Sequence, residues 1–260
     1  VLQPSPTPLT ADRRSTPLPN VMDPHCQAIL CDLDGCLISG GEALPGALAF
    51  CRALGERLWI VSNNSTDSPR TLGAQLRRLG LPVADERVIL AGAEAVKSLA
   101  QRSPGAAVAL FASPTLVAYA EQLGLAVTHD RPDSVLLCRD ERFDYPALQR
   151  LLGFLDAGAA LIVANPDVSH PSREGPPVPE TGALLAAIRS IRPQQCFSVV
   201  GKPESHLFTV ALAGAGTTAA RAVMIGDNVT TDGAGAQVLG IPFLHVAPNQ
   251  GLAHLLGAQP

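Results

Sequence analysis

The sequence has no surplus of positive charge. Its 260 residues carry 19 Lys and Arg against 23 Asp and Glu, a net charge of −4. Nucleic acids and anionic membranes are recognised by basic faces, so neither partner is expected. Long apolar runs are missing as well. The best candidates are broken by Pro114 or Asp156, short of the roughly 20 residues a membrane-spanning helix needs. None of the six cysteines forms a CxxC pair, which argues against zinc. No secretory signal precedes them, which favours a reducing cytosol. The expectation is therefore a soluble, cytoplasmic protein whose cysteines pack as small buried hydrophobes. No internal repeat is visible.

What is present is enough for a core. Apolar residues make up 47% of a chain long enough for one large domain or two modest ones. Residues 1–21, rich in Pro, Ser and Thr, read as a disordered N-terminal tail, with Met22 as a natural start. Beyond them, apolar runs alternate with stretches of helical period, the pattern of an α/β fold. "QAILCDLDG", "RLWIVSNN", "CFSVVGKP", "AVMIGDN" and "PFLHVAP" read as strands, and helical segments lie between them.

Four of these strands turn polar at the C-terminal end, at Asp32 and Asp34, Ser62 and Asn63, Lys202, and Asp227. Ligands of open parallel sheets bind beyond the C-terminal strand ends, so the four ends are expected along one edge of one sheet. The stretch between Ser62 and Lys202 is much longer than a single crossover requires. Residues 85–177, with their own strand and helix alternation, therefore read as a second α/β domain inserted into a core of residues 22–84 and 178–260. The helix "TGALLAAIRSI" is expected to lead back into the core.

Ionised carboxylates as close as Asp32 and Asp34 repel by roughly 4 kcal/mol at an effective dielectric of about 20. With Asp227 and Asp232 added and Lys202 the one cation, the set calls for a hard divalent ion, Mg²⁺ above all. No histidine stands within these motifs. A metal beside a lysine, a hydroxyl and loop amides suits a phosphate. One of the paired aspartates would attack phosphorus while the other handles a proton.

The motifs "DLDG" at 32–35, "SNNS" at 62–65, "GKP" at 201–203 and "GDNVTTD" at 226–232 resemble the four ordered motifs of the haloacid dehalogenase (HAD) superfamily. The inserted domain, with "NPD" near its end, resembles subfamily IIA, the NagD-like and p-nitrophenyl-phosphatase-like enzymes. The resemblance implies a Rossmann-like parallel-sheet core with an inserted α/β cap of the C2 type. It implies Asp32 as nucleophile and Asp34 as general acid and base, with its backbone carbonyl on the metal. Ser62 and the amide of Asn63 would hold phosphoryl oxygens, and Lys202 would neutralise Asp32 and the phosphate. Asp227 would ligate Mg²⁺ together with Asp32, Asp232 would support the metal shell, and Asn228 would tune the same loop. The substrate would be a small phosphorylated metabolite, and relatives often form homodimers through the cap.

Cys36 stands where other branches carry threonine, and Gly233 where an isoleucine is common. A phosphonatase would need a cap lysine as Schiff base; Lys97 is the only candidate, and its helical context marks it as a surface side chain. In the cap, Asn165 reads equally as part of an Asx-Pro turn with Asp167 and as a substrate contact. Arg139, at another strand end, is a second candidate contact. A non-catalytic phosphometabolite-binding module and a phosphotransferase remain open on the same scaffold. So does the substrate, among nucleotides, sugar phosphates, pyridoxal phosphate and phosphoglycolate.

Overall fold

The computed structural model describes residues 21–102, 104–170 and 176–256; the expected tail of residues 1–21 lies almost wholly outside them. In chain order, β1 is Ala28–Cys31, followed by a short hairpin of β2, Ile38–Ser39, and β3, Glu42–Ala43. Helix α1, Ala47–Leu54, leads to β4, Leu58–Ser62. Then come α2, Pro69–Arg78, β5, Val88–Leu90, and α3, Ala91–Arg102. The next stretch holds β6, Ala107–Phe111, α4, Pro114–Gln122, β7, Ala126–Val127, and β8, Ser134–Leu137. Helix α5, Tyr145–Asp156, precedes β9, Ala160–Val163, and a second hairpin of β10, Ser169–His170, and β11, Val178–Pro179. Helix α6, Thr181–Ile191, and β12, Phe197–Val199, follow. The chain closes with α7, His206–Gly214, β13, Ala222–Gly226, α8, Ala234–Leu239, and β14, Phe243–His245.

The long strands form two five-stranded sheets, ordered β14-β13-β1-β4-β5 and β12-β9-β8-β6-β7, with every pairing parallel. Strand β1 is central and buried along its whole length, which is why it reads as a continuous apolar run. Helix starts follow local chemistry. Ser68 caps α2 by accepting from the Thr71 N–H, and Asp144 caps α5 by accepting from the Ala147 N–H at 2.8 Å. One apolar cluster, with Ile29, Ile60, Val96 and Leu136, runs from one face of the first sheet to the second sheet. Trp59 and Phe208 pack on the opposite face of the first sheet, and Leu151 and Ile188 on the outer face of the second.

Sheet membership corrects two expectations. Strand β5 pairs with β4 in the first sheet although it lies beyond residue 84. Helix α6 and β12, expected in the core, pack on or pair within the second sheet, with Phe197 opposite Leu161. The second sheet therefore runs from residue 107 to 199. The physical reason is that "CFSVV" is an apolar run equally fit for either edge, and nothing local names its partner. Five cysteines are buried as expected, but Cys196 is exposed. Among the described residues no helix is long and apolar enough to cross a membrane.

Candidate active site

Both sheets turn their C-terminal edges toward one cleft of about 1160 Å³, lined by Asp32, Asp34, Ser62, Lys202 and Asp227 among others. Asp32 continues β1, its N–H donating to the Ile225 carbonyl at 2.9 Å. Gly35 then turns the chain with φ +77°, and a Cβ there would stand 2.2 Å from Asp227 Oδ2. Only glycine meets both demands. The β2–β3 hairpin turns on Gly40 and Gly41, both at positive φ, and its tip lines the cleft.

Lys202 bridges the site. Its Nζ donates to Asp32 Oδ1 at 2.7 Å and to Asp232 Oδ1 at 2.6 Å, with the lysine side chain 2% and Asp232 0% exposed. Burial opposes a charged ammonium, but the two carboxylates outweigh it and hold the Lys202 pKa above its ordinary value. Asp232 lies in a single π-helical turn, Val229–Gly233. Its second oxygen accepts from the Asn228 N–H at 3.2 Å. A Cβ on Gly226 would come 2.1 Å from that oxygen.

The expectation that all four polar strand ends share one sheet edge is corrected here. Asp32, Ser62 and Asp227 end strands of the first sheet, whereas Lys202 follows β12 of the second and reaches Asp32 across the cleft. Of the expected metal ligands, Asp32 and Asp227 bring their side chains together. Among the described residues, the side-chain atoms of Asp32, Cys36 and Asp227 lie within 4.8 Å of one another. Asp34 and Asp232 offer no side-chain atom to that group, and both oxygens of Asp232 are already engaged by Lys202 and Asn228. A hydrogen bond with Cys31, then burial, pushes the Cys36 thiol up, so it stays protonated and is no ligand for a hard cation. Burial and the Asp32 charge raise the Asp227 carboxyl.

Asp34 faces the open cleft and is reached by solvent, yet protein surrounds that cleft on most sides. Burial and the adjacent Asp32 push its carboxyl up to about 6.

The "SNNS" loop has a role that sequence reasoning missed. Asn63 Oδ1 accepts from the Lys202 N–H at 2.7 Å, while Asn63 Nδ2 donates to the Lys202 carbonyl and to Asp167 Oδ2, both at 3.0 Å. One side-chain amide thus clamps the backbone of the bridging lysine. Ser62 is 2% exposed, and its hydroxyl accepts from the Asn64 N–H at 3.1 Å.

Asn165 is held inside the protein rather than on the cleft wall. It is fully buried, absent from the cleft lining, and donates to the Asn63 carbonyl at 2.8 Å, Ser65 Oγ at 3.0 Å and Thr181 Oγ1 at 3.2 Å. It is a strut tying the "SNNS" loop to the second sheet, a partnership that the Asx-Pro pattern could not reveal. Arg139 does line the cleft. Its backbone N–H donates to Ser65 Oγ at 3.1 Å, and its guanidinium pairs with Glu141 at 2.7 Å. His170 and Glu180, 2.7 Å apart, also line the cleft and went unnoticed in the sequence, because neither belongs to a motif. Lys97 pairs with the buried Glu94 at 2.6 Å and is about one-third exposed.

Residues 29–126 match the haloacid dehalogenase-like hydrolase model, and residues 199–258 match a second model of HAD-like hydrolases. The dihydroxyacetone phosphatase of Corynebacterium glutamicum is 30% identical over 206 residues, covering 78% of this chain and 74% of that protein. The 4-nitrophenylphosphatase of Thermotoga maritima superimposes with a TM-score of 0.82 at 26% identity, over 92% of this chain and 99% of that one. The glycerol phosphate phosphatase of Mycobacterium tuberculosis, solved in complex with magnesium, gives a TM-score of 0.77 at 30% identity, over 84% of this chain and 67% of that one. Matched across both sheets and through each of the four strand-end motifs, the chain belongs to the haloacid dehalogenase-like hydrolases, among the NagD-like phosphatases of subfamily IIA.

Proposed function

We propose that the protein is a Mg²⁺-dependent phosphomonoesterase that works through an aspartyl-phosphate on Asp32, with the second-sheet unit as a cap over the cleft. The observation that carries this reading is the Asp32–Lys202–Asp232 bridge. It leaves one carboxylate at the cleft, neutralised on one oxygen and oriented from both sheets.

The donor set fits a hard divalent ion. Asp32 and Asp227 are carboxylates whose oxygens converge beside a glycine that leaves room for them. These two side chains, with the Asp34 backbone carbonyl, would hold Mg²⁺, which when bound withdraws charge from the phosphoryl oxygens. In the first half-reaction Asp32 Oδ attacks phosphorus, and the ester oxygen departs with a proton from Asp34. A carboxyl raised to about 6 retains a protonated fraction near neutral pH, which is what a general acid requires. In the second half-reaction Asp34 takes a proton from water, and that water attacks the phosphorus of the aspartyl ester. Asp32 is released and inorganic phosphate leaves. Ser62 and the backbone amide of Asn63 hold phosphoryl oxygens, and Lys202 offsets charge on Asp32 and the phosphate. The substrate is a small phosphorylated metabolite, in keeping with relatives named as a dihydroxyacetone phosphatase and a glycerol phosphate phosphatase.

Turnover of p-nitrophenyl phosphate tests this. It should require added Mg²⁺, stop with EDTA, and fall by about ten-thousandfold in Asp32→Asn, with the variant's circular dichroism and melting unchanged. A folded Asp32→Asn protein with wild-type turnover would remove the nucleophile.

A further inference from the structure

The wall of the cleft that faces the aspartates has a chemistry of its own. It is built by Arg139 after β8, Asp167 after β9, His170 on β10 and Glu180 at the start of α6. Glu180 sits at its centre. One of its oxygens lies 2.7 Å from His170 Nδ1 and 3.8 Å from Arg139 Nη1. The three side chains are 15%, 39% and 21% exposed for Glu180, His170 and Arg139, so each is held in place yet reachable from the cleft. They line the same cleft as Asp32 and Asp34.

Three features restrict what this wall can hold. Among the described residues, no Phe, Tyr, Trp, Leu, Ile or Met lines the cleft. A nucleobase or pyridine ring would find no large aromatic face, only His170 and Arg139, which Glu180 already engages. Among the described residues, Arg139 is the one lysine or arginine in the lining besides Lys202, and Glu141 and Glu180 already pair with it. Asp167 adds another carboxylate. Among the described residues a substrate carboxylate would therefore meet like charges and no free cation. What remains is a carboxylate acceptor hydrogen-bonded to an imidazole and ion-paired with a guanidinium donor, the complement of neutral hydroxyl groups.

We propose that Arg139, Glu180 and His170 form the leaving-group pocket, and that it selects an uncharged polyhydroxylated leaving group, the substrate being a phosphorylated triose, polyol or small sugar. This rests on the phosphatase reading above and narrows it. Glu180 orients Arg139 and His170 and accepts from a substrate hydroxyl. Its negative charge rejects leaving groups that carry a carboxylate.

The test compares kcat/KM for glycerol 3-phosphate, phosphoglycolate, pyridoxal 5′-phosphate and AMP in the wild type and in Glu180→Gln. In the wild type, glycerol 3-phosphate should exceed each of the others by about tenfold or more. Glu180→Gln should lower kcat/KM for glycerol 3-phosphate by about tenfold, mainly through KM, and raise it for phosphoglycolate by a similar factor as the repelling charge goes and Arg139 keeps Glu141 alone as its partner. Adding Arg139→Met should abolish that gain. His170→Asn supplies a second reading and should likewise lower the ratio of glycerol 3-phosphate to phosphoglycolate. A wild type that prefers phosphoglycolate, pyridoxal phosphate or AMP overturns the pocket assignment alone. So does a Glu180→Gln variant that loses all substrates by one common factor. A wild type that hydrolyses none of the four in Mg²⁺, and not p-nitrophenyl phosphate either, overturns the phosphatase reading with it.

Discussion

In the first sheet three strands end in the polar residues Asp32, Ser62 and Asp227; in the second three end in Arg139, Asn165 and Lys202. The two sheets are alike in strand number and in their all-parallel pairing. They differ in how the polar ends are spent. The first sheet gathers carboxylates that repel one another. The second spends Asn165 on holding the "SNNS" loop and sends one buried lysine across to the carboxylates. The edge that concentrates charge therefore depends on the other edge for neutralisation, and neither sheet alone makes a usable site.

The sharpest way to break this comparison is to remove the crossing charge. Lys202→Met leaves Asp232, fully buried, without its cation, and breaking a buried pair in this way costs about 3–5 kcal/mol. Urea unfolding should show that loss, with turnover abolished. Near-wild-type stability would mean that Lys202 contributes nothing to joining the two edges.

Gly35→Ala acts inside the first edge. Its Cβ would strike Asp227 Oδ2 in a backbone region that costs an L-residue about 1–2 kcal/mol. Turnover should fall, and the Mg²⁺ concentration for half-maximal rate should rise, as read by titrating Mg²⁺ against p-nitrophenyl phosphate. An unchanged Mg²⁺ response would separate Asp227 from the metal.

The smallest effect belongs to the second edge. Asn165→Ala removes the donor shared by the Asn63 carbonyl, Ser65 and Thr181. It should cost about 1–3 kcal/mol in urea unfolding, with KM nearly constant. A KM that rises while stability holds would return Asn165 to the role of substrate contact.

The alternation of apolar and helical segments was legible in the sequence, and so were the carboxylates at 32, 34 and 227. Each depends on residues within one strand and the loop after it. The hairpin at Ile38–Ser39 and Glu42–Ala43 was not read, because strands of two residues carry no period. Glu180 and His170 were missed because they stand ten residues apart outside any motif and meet only when β10 and β11 pair.

By itself, the sequence determined which groups stand at the strand tips, since a buried strand must be apolar and its polar residues are expelled to the ends. The tertiary structure alone decided that "CFSVV" joins the second sheet, that Asn63 and Asn165 serve as struts, and that Asp232 pairs with Lys202. Sheet edges and amide side chains accept many partners of nearly equal energy. The choice among them is made by packing between residues far apart in the chain, which no local pattern encodes.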